Sequence, residues 1–286
     1  MLTFALLGIG NTILQVSLNP MIAQVVSEKK MASILTLGQF VKAISSFLGP
    51  VIAGIAASYW GNWKLIFVVY AGTTLLAGIW LLLSIDTDSP QNVKTTTSFR
   101  SALALFSDKI ILWLFIGILA VVGIDVGLNT HIPKLLMAQT GLSLNEAGLG
   151  TSLYFISRTA GTFFGALLLT RIDSKIFMQS GMIIAIAAFA ALLVSDQLWL
   201  LLLWIVIIGL ACSNVFSILF SYALKHKPEH ANEISALMIM GVSGGALIMP
   251  FMGVLSDGYG QIAGLLPLLL CMVYLLWTTG KLGKQS

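Results

Sequence analysis

The chain has 286 residues, 58% of them apolar and 9% charged, with a formal net charge of +4 at pH 7. Soluble domains carry roughly 25% charged residues, so a mean hydropathy of +0.97 excludes a soluble globular protein and indicates a polytopic membrane protein. The basic residues are scattered among short connections, which excludes a nucleic-acid-binding patch.

A spanning helix needs about 20 mostly apolar residues, and the sequence offers nine candidates, near 2–26, 32–58, 64–84, 110–138, 146–170, 176–194, 198–224, 233–255 and 262–280. The expected fold is therefore all-α, a helical membrane bundle with nine transmembrane helices. The first segment lacks a basic leader and is too polar for a signal-peptide core. Asn11, Gln15 and Asn19 recur about one turn apart in it, and Pro20 is expected to interrupt the helix. Amide side chains in hydrocarbon need partners, so this face looks at other helices or a wet cavity. Interhelical hydrogen bonding is the competing reading.

Residues 86–109 are polar and rich in Pro, Ser and Thr, and read as a linker. Its end, Phe99 to Phe106, has apolar residues at helical spacing and suits a short interfacial helix. Three domains follow: a three-helix remnant of an N-terminal bundle (1–85), the linker (86–109) and a six-helix bundle (110–286). Lys64 and Lys134 lie on one face of the membrane; Lys29, Lys30, Lys94, Arg100, Lys109, Arg171, Lys175, Lys225, Lys227, Lys281 and Lys284 lie on the other. The basic face is cytoplasmic by the positive-inside rule, so the linker and C-terminus are inside and Met1 is outside. An outside start without a cleavable signal, and three spans facing six across a linker, lead to the expectation that three helices once preceded Met1. A genuine nine-helix protein is the alternative.

Three ionisable side chains sit deep in spans: Lys42, Asp125 and Arg158. Each costs about 2.5–3.5 kcal/mol at a helix centre, so each is expected to face the interior and find a partner. At 1.5 Å per residue, Gln15 and Lys42 fall at similar depths on antiparallel helices, as do Asp125 and Arg158. The latter two can form an ion pair, either structural or functional. The Lys42 stem can alternatively reach toward headgroups. Asp125 shares its helix with Asn129 and His131; His131 reads as a hydrogen-bonding residue. His226 and His230 are read as part of a solvated loop around Pro228. Arg158-Thr-Ala-Gly161 and Gly165 form a small-residue face for close packing, and Gly241 to Pro250 reads as a weakened or broken helix. Cys212 and Cys271 read as small core residues. The sequence holds no phosphate-cradling loop, metal cluster or nucleophile–base arrangement, so neither an enzyme nor a cofactor is expected.

Leu14-Gln15-Val16-Ser17-Leu18-Asn19-Pro20, the Gln39/Lys42 pair, the Asp125/Asn129/His131 set, Arg158 to Gly161 through Arg171, Asn214, and the Ile239 to Asp257 run with Gly244-Gly245, Pro250, Gly253 and Ser256-Asp257 resemble successive motifs of one family. The chain resembles the fucose/glucose/galactose:proton symporters of the major facilitator superfamily, from that family's fourth helix to its twelfth. The resemblance implies a secondary active transporter of a sugar or sugar-like solute in the inner (plasma) membrane, coupled to protons and working by alternating access. Gln15, Asn19, Gln39, Lys42, Asp125, Asn129 and Asn214 would line its site. Asp125 and Arg158 are the candidates for proton coupling or an ion pair. Where the family's fourth helix has a glutamate this chain has Gln15, which binds hydroxyls but cannot titrate, and Lys42 stands where the family has an amide. An organic-anion or sugar-acid transporter using Lys42, and a non-transporting remnant or sensor, are the alternative readings.

Overall fold

The structure is a computed structural model that describes residues 2–62, 64–84 and 99–282. Among the described residues the secondary structure is wholly helical: α1 (Leu2–Val25), α2 (Glu28–Trp60), α3 (Leu65–Ser84), α4 (Phe99–Ala104), α5 (Lys109–Thr140), α6 (Leu144–Leu168), α7 (Ser174–Val194), α8 (Leu198–Cys212), α9 (Val215–His226), α10 (Ala231–Met240), α11 (Gly244–Tyr259) and α12 (Gln261–Lys281). Six segments among them are long and apolar enough to cross a membrane: Leu65–Ser84, Lys109–Thr140, Ser174–Val194, Leu198–His226, Pro228–Tyr259 and Gln261–Lys281. The other three expected spans fall on α1, α2 and α6, helices of 24, 33 and 25 residues that do not join those six. Most of the expected linker lies outside the described residues; its end is helical, as α4 and a following 3-10 turn, Leu105–Ser107.

Side-chain caps set the starts of α5, α6 and α7. Free N–H groups at a helix start need acceptors. The Asp108 carboxylate accepts from the N–H groups of Ile110 and Ile111, and Asp173 does the same for Lys175 and Ile176. Ser143 and Glu146 cap α6 reciprocally, the capping-box arrangement. Gly141 ends α5 in the left-handed region at φ 71°, where a side chain would be strained.

The chain divides into two compact units, Met1–Gln39 with Thr97–Ser286, and Phe40–Thr96. In the first, α5 packs against α6, α9, α11 and α12, while α8 bridges α6 to α7 and α7 meets α12. Leu114, Ile118, Val121, Ile124 and Leu128, spaced three or four apart on α5, are fully buried in this core, the stripe expected of a helix packed on several neighbours. The α6–α8 contact is tight at its small residues. A β-carbon on Gly161 would meet Ser213 and the Leu210 carbonyl, and one on Gly209 would meet the backbone of Tyr154. That confirms the expected small-residue face on α6. The second unit holds the end of α2 and α3; every α3 side chain from Phe67 to Ser84 is exposed.

Pro20 does not interrupt α1, contrary to the sequence expectation: the helix runs through it to Val25. A proline has no N–H for the carbonyl four residues earlier, which leaves the Val16 carbonyl without its helical donor. The buried Ser235 hydroxyl of α10 donates to that carbonyl at 3.0 Å. The same device recurs in α5. Pro133 frees the Asn129 carbonyl, and the Thr151 hydroxyl of α6 donates to it at 3.3 Å. Neighbouring hydroxyls thus make an internal proline tolerable.

Candidate solute-binding site

The polar face of α1 lines a cavity of about 530 Å³, within the roughly 300–1,000 Å³ of small-ligand sites. Asn11, Thr12 and Gln15 form one wall, and Ala236, Ile239, Met240, Val242 and Ser243 form the other. Asn11 and Gln15 are one turn apart, so both amides project on the same side. The Thr12 hydroxyl donates to the Gly8 carbonyl at 2.9 Å and keeps its lone pairs for a ligand. The opposite wall is built where α10 gives way to the 3-10 turn Gly241–Ser243 before α11 begins, so the weakened stretch expected from the sequence is realised at its first three residues. The Ser235–Val16 hydrogen bond fastens α1 to α10 beside this cavity.

A second polar cluster lies between α5 and α6. Tyr154 and Arg158 are one turn apart on α6 and both reach Asp125 on α5. Arg158 pairs with the Asp125 carboxylate, and the Tyr154 hydroxyl donates to the same oxygen at 2.8 Å. Tyr154 is fully buried, whereas the Asp125 and Arg158 side chains are 16% and 21% exposed. Depth along the helices predicts the pair but not Tyr154, for which a position four residues before Arg158 is the available signal.

The other sequence candidates are dispersed. Asn19 continues the α1 face one turn beyond Gln15 and is half-buried; Gln39 is half-buried at the end of the first unit, and Lys42 is exposed in the second. Asn129 is exposed. Asn214 is 1% exposed and sits between helices: its amide donates to the Gly161 carbonyl at 3.0 Å and to the Ser213 hydroxyl at 2.6 Å. His131 is buried, its Nδ1 3.3 Å from the Gly127 carbonyl. Among the described residues no group of His, Cys, Asp and Glu could hold a metal ion.

Residues 225–230 are exposed or half-exposed throughout, in keeping with a solvated connection, and are also anchored. Lys227 Nζ lies 2.8 Å and His226 Nε2 3.0 Å from the Asp108 carboxylate, so this connection is tied to the start of α5. Burial pushes the Asp108 carboxyl up. Hydrogen bonds from Lys227, His226, and the N–H groups of Ile110 and Ile111 outweigh it and hold the group well below the usual carboxylate range.

Comparison with known proteins follows the same lines. The family model of the Major Facilitator Superfamily matches residues 1–143 and 127–285. A glucose/galactose transporter of Brucella abortus biovar 1 (strain 9-941) is 26% identical over 299 residues, covering 98% of this chain and 70% of that protein. A putative glucose/galactose transporter of Helicobacter pylori (strain J99) is 26% identical over 304 residues, covering 98% and 73%. Among solved structures, a variant of the Escherichia coli fucose:proton symporter FucP superposes with a TM-score of 0.79 at 17% identity, over 94% of this chain and 73% of that one. A bacterial homologue of the iron transporter ferroportin in an outward-facing state gives 0.68 at 18% identity, over 96% and 70%. At these identities the structural likenesses establish the fold. The chain is a multi-pass membrane protein of the Major Facilitator Superfamily, whose members are transporters and not enzymes.

Proposed function

We propose that this protein carries a sugar or sugar-like solute across the membrane by alternating access, coupled to protons. The observation that carries this reading is the cavity with Asn11, Thr12 and Gln15 on one wall. Amides and hydroxyls match a polyhydroxylated ligand, because each can both give and accept hydrogen bonds. The relatives named glucose/galactose transporters support the same solute class. Asn19, one turn beyond Gln15 on α1, belongs to the proposed site as a further polar contact. Asp125 is the proposed proton carrier and Arg158 its counter-ion. Arg158 and Tyr154 are both directed at one Asp125 carboxylate oxygen, so the proposed proton carrier sits at the junction of α5 and α6. Nine spans with the 86–109 linker on the cytoplasmic face complete the reading; the lengths of α1, α2 and α6 support that count.

Uptake of labelled glucose, galactose, fucose and a hexuronate into proteoliposomes, with and without an inward proton gradient, tests this. The expected outcome is gradient-driven accumulation of a neutral hexose. Gln15→Ala is expected to weaken affinity about tenfold or more, the effect of leaving one ligand hydroxyl unpaired at about 1–3 kcal/mol. Absence of both uptake and exchange of every sugar overturns the proposal. Uptake confined to the hexuronate, and abolished by Lys42→Ala, replaces the neutral sugar with an anion.

A further inference from the structure

The wall opposite α1 is shaped by three glycines. A β-carbon on Gly241 would press on the Ile118 side chain, one on Gly244 would collide with the backbone of Leu119, and one on Gly245 would strike Val126. All three contacts are on α5, so the turn and the start of α11 lie flat against that helix. Only residues without a side chain allow such an approach. The two residues between Gly241 and Gly244 turn the other way. Val242 is 41% exposed, Ser243 is exposed, and both line the cavity across from Asn11, Thr12 and Gln15. Among the described residues the Ser243 hydroxyl and the Asn11 and Gln15 amides have no hydrogen-bond partner.

We propose that Ser243 is a solute-contacting residue that sets specificity, holding one hydroxyl of a sugar-like ring from the side opposite Asn11. Met240 and Val242, beside it on the same wall, offer an apolar surface to the C–H face of the ring. The packing of Gly241 and Gly244 on α5 fixes the position of the hydroxyl, as a binding group requires. This assignment rests on the sugar reading above and adds to it a second wall that α1 alone does not supply.

The test uses proteins with one introduced cysteine each in proteoliposomes, with Cys271→Ser to remove the half-buried thiol and the buried Cys212 retained. Asn11→Cys, Gln15→Cys and Ser243→Cys are treated with a small aqueous thiol reagent, with and without hexose. All three are expected to react. Hexose at about ten times its Kd is expected to slow each about tenfold. A panel of monodeoxy hexoses provides the second readout: the wild-type protein discriminates against one of them, and Ser243→Ala loses that single discrimination while keeping the others. An unreactive Ser243→Cys beside a reactive Asn11→Cys overturns the assignment. So does hexose protection of Gln15→Cys without protection of Ser243→Cys, which leaves the sugar reading standing. Protection of none of the three overturns both.

Discussion

Two polar regions of the first unit solve the same problem in opposite ways. Between α5 and α6, Asp125, Arg158 and Tyr154 satisfy one another. Across the cavity, Asn11, Gln15 and Ser243 face open space. A polar group within the membrane needs a partner, and among the described residues only the first region carries its partners. The difference separates groups that hold helices together from groups left for a solute, and the first class should be sensitive in stability where the second is not.

The largest effect is expected at the closed cluster. Asp125→Ala or Arg158→Ala leaves one charge without its partner, at about 3–5 kcal/mol. The double variant should recover much of that loss. Thermal unfolding in detergent measures both, and equal melting of single and double variants would show that the pair is not coupled.

Next in size is the hydroxyl that takes over for Pro20. Ser235→Ala strands the Val16 carbonyl at about 1–3 kcal/mol. Adding Pro20→Ala restores an N–H four residues on and should cancel most of that cost. Additive losses in the double variant would refute the coupling.

Smaller still is the link from Asp108 to Lys227 and His226. The folded carboxyl titrates below its ordinary value of 3.8, so its stabilising contribution is present above that pH and is lost as pH falls through the folded value. Asp108→Ala also removes the α5 cap, at about 1 kcal/mol. The variant should melt lower than wild type at pH 6, and the two should converge as the pH is taken below about 3. A gap independent of pH would assign the whole effect to packing.

The smallest expected stability effect is at the open wall. Gln15→Ala should melt within about 0.5 kcal/mol of wild type while losing solute affinity. A large destabilisation would make Gln15 a structural residue and collapse the contrast between the two regions.

The Asp125–Arg158 pair was legible in the sequence because depth along antiparallel helices is simple arithmetic and buried charges must find each other. The small-residue face at Gly161 and Gly165 was legible for a similar reason: spacing alone places both on one side. Tyr154 was hidden because a tyrosine in an apolar helix resembles its neighbours until a partner is seen. Ser243 could not be found, since its direction depends on which side of the turn the glycines seat. The Ser235–Val16 and Asp108–Lys227 contacts join residues 219 and 119 positions apart, and no local pattern encodes such distances. A proline in sequence shows what is lost, not which hydroxyl replaces it, so Pro20 reads as a break although α1 runs through it.

The Ser235–Val16 bond has a mechanical consequence. It joins α1 to α10 at one point, one residue past Gln15 and one before Ala236 at the cavity wall. Sliding either helix by a turn would strand the Val16 carbonyl, so axial register is locked. The Ser235 hydroxyl thus works as a dowel, setting the height of Asn11 and Gln15 against the Ala236–Ser243 wall.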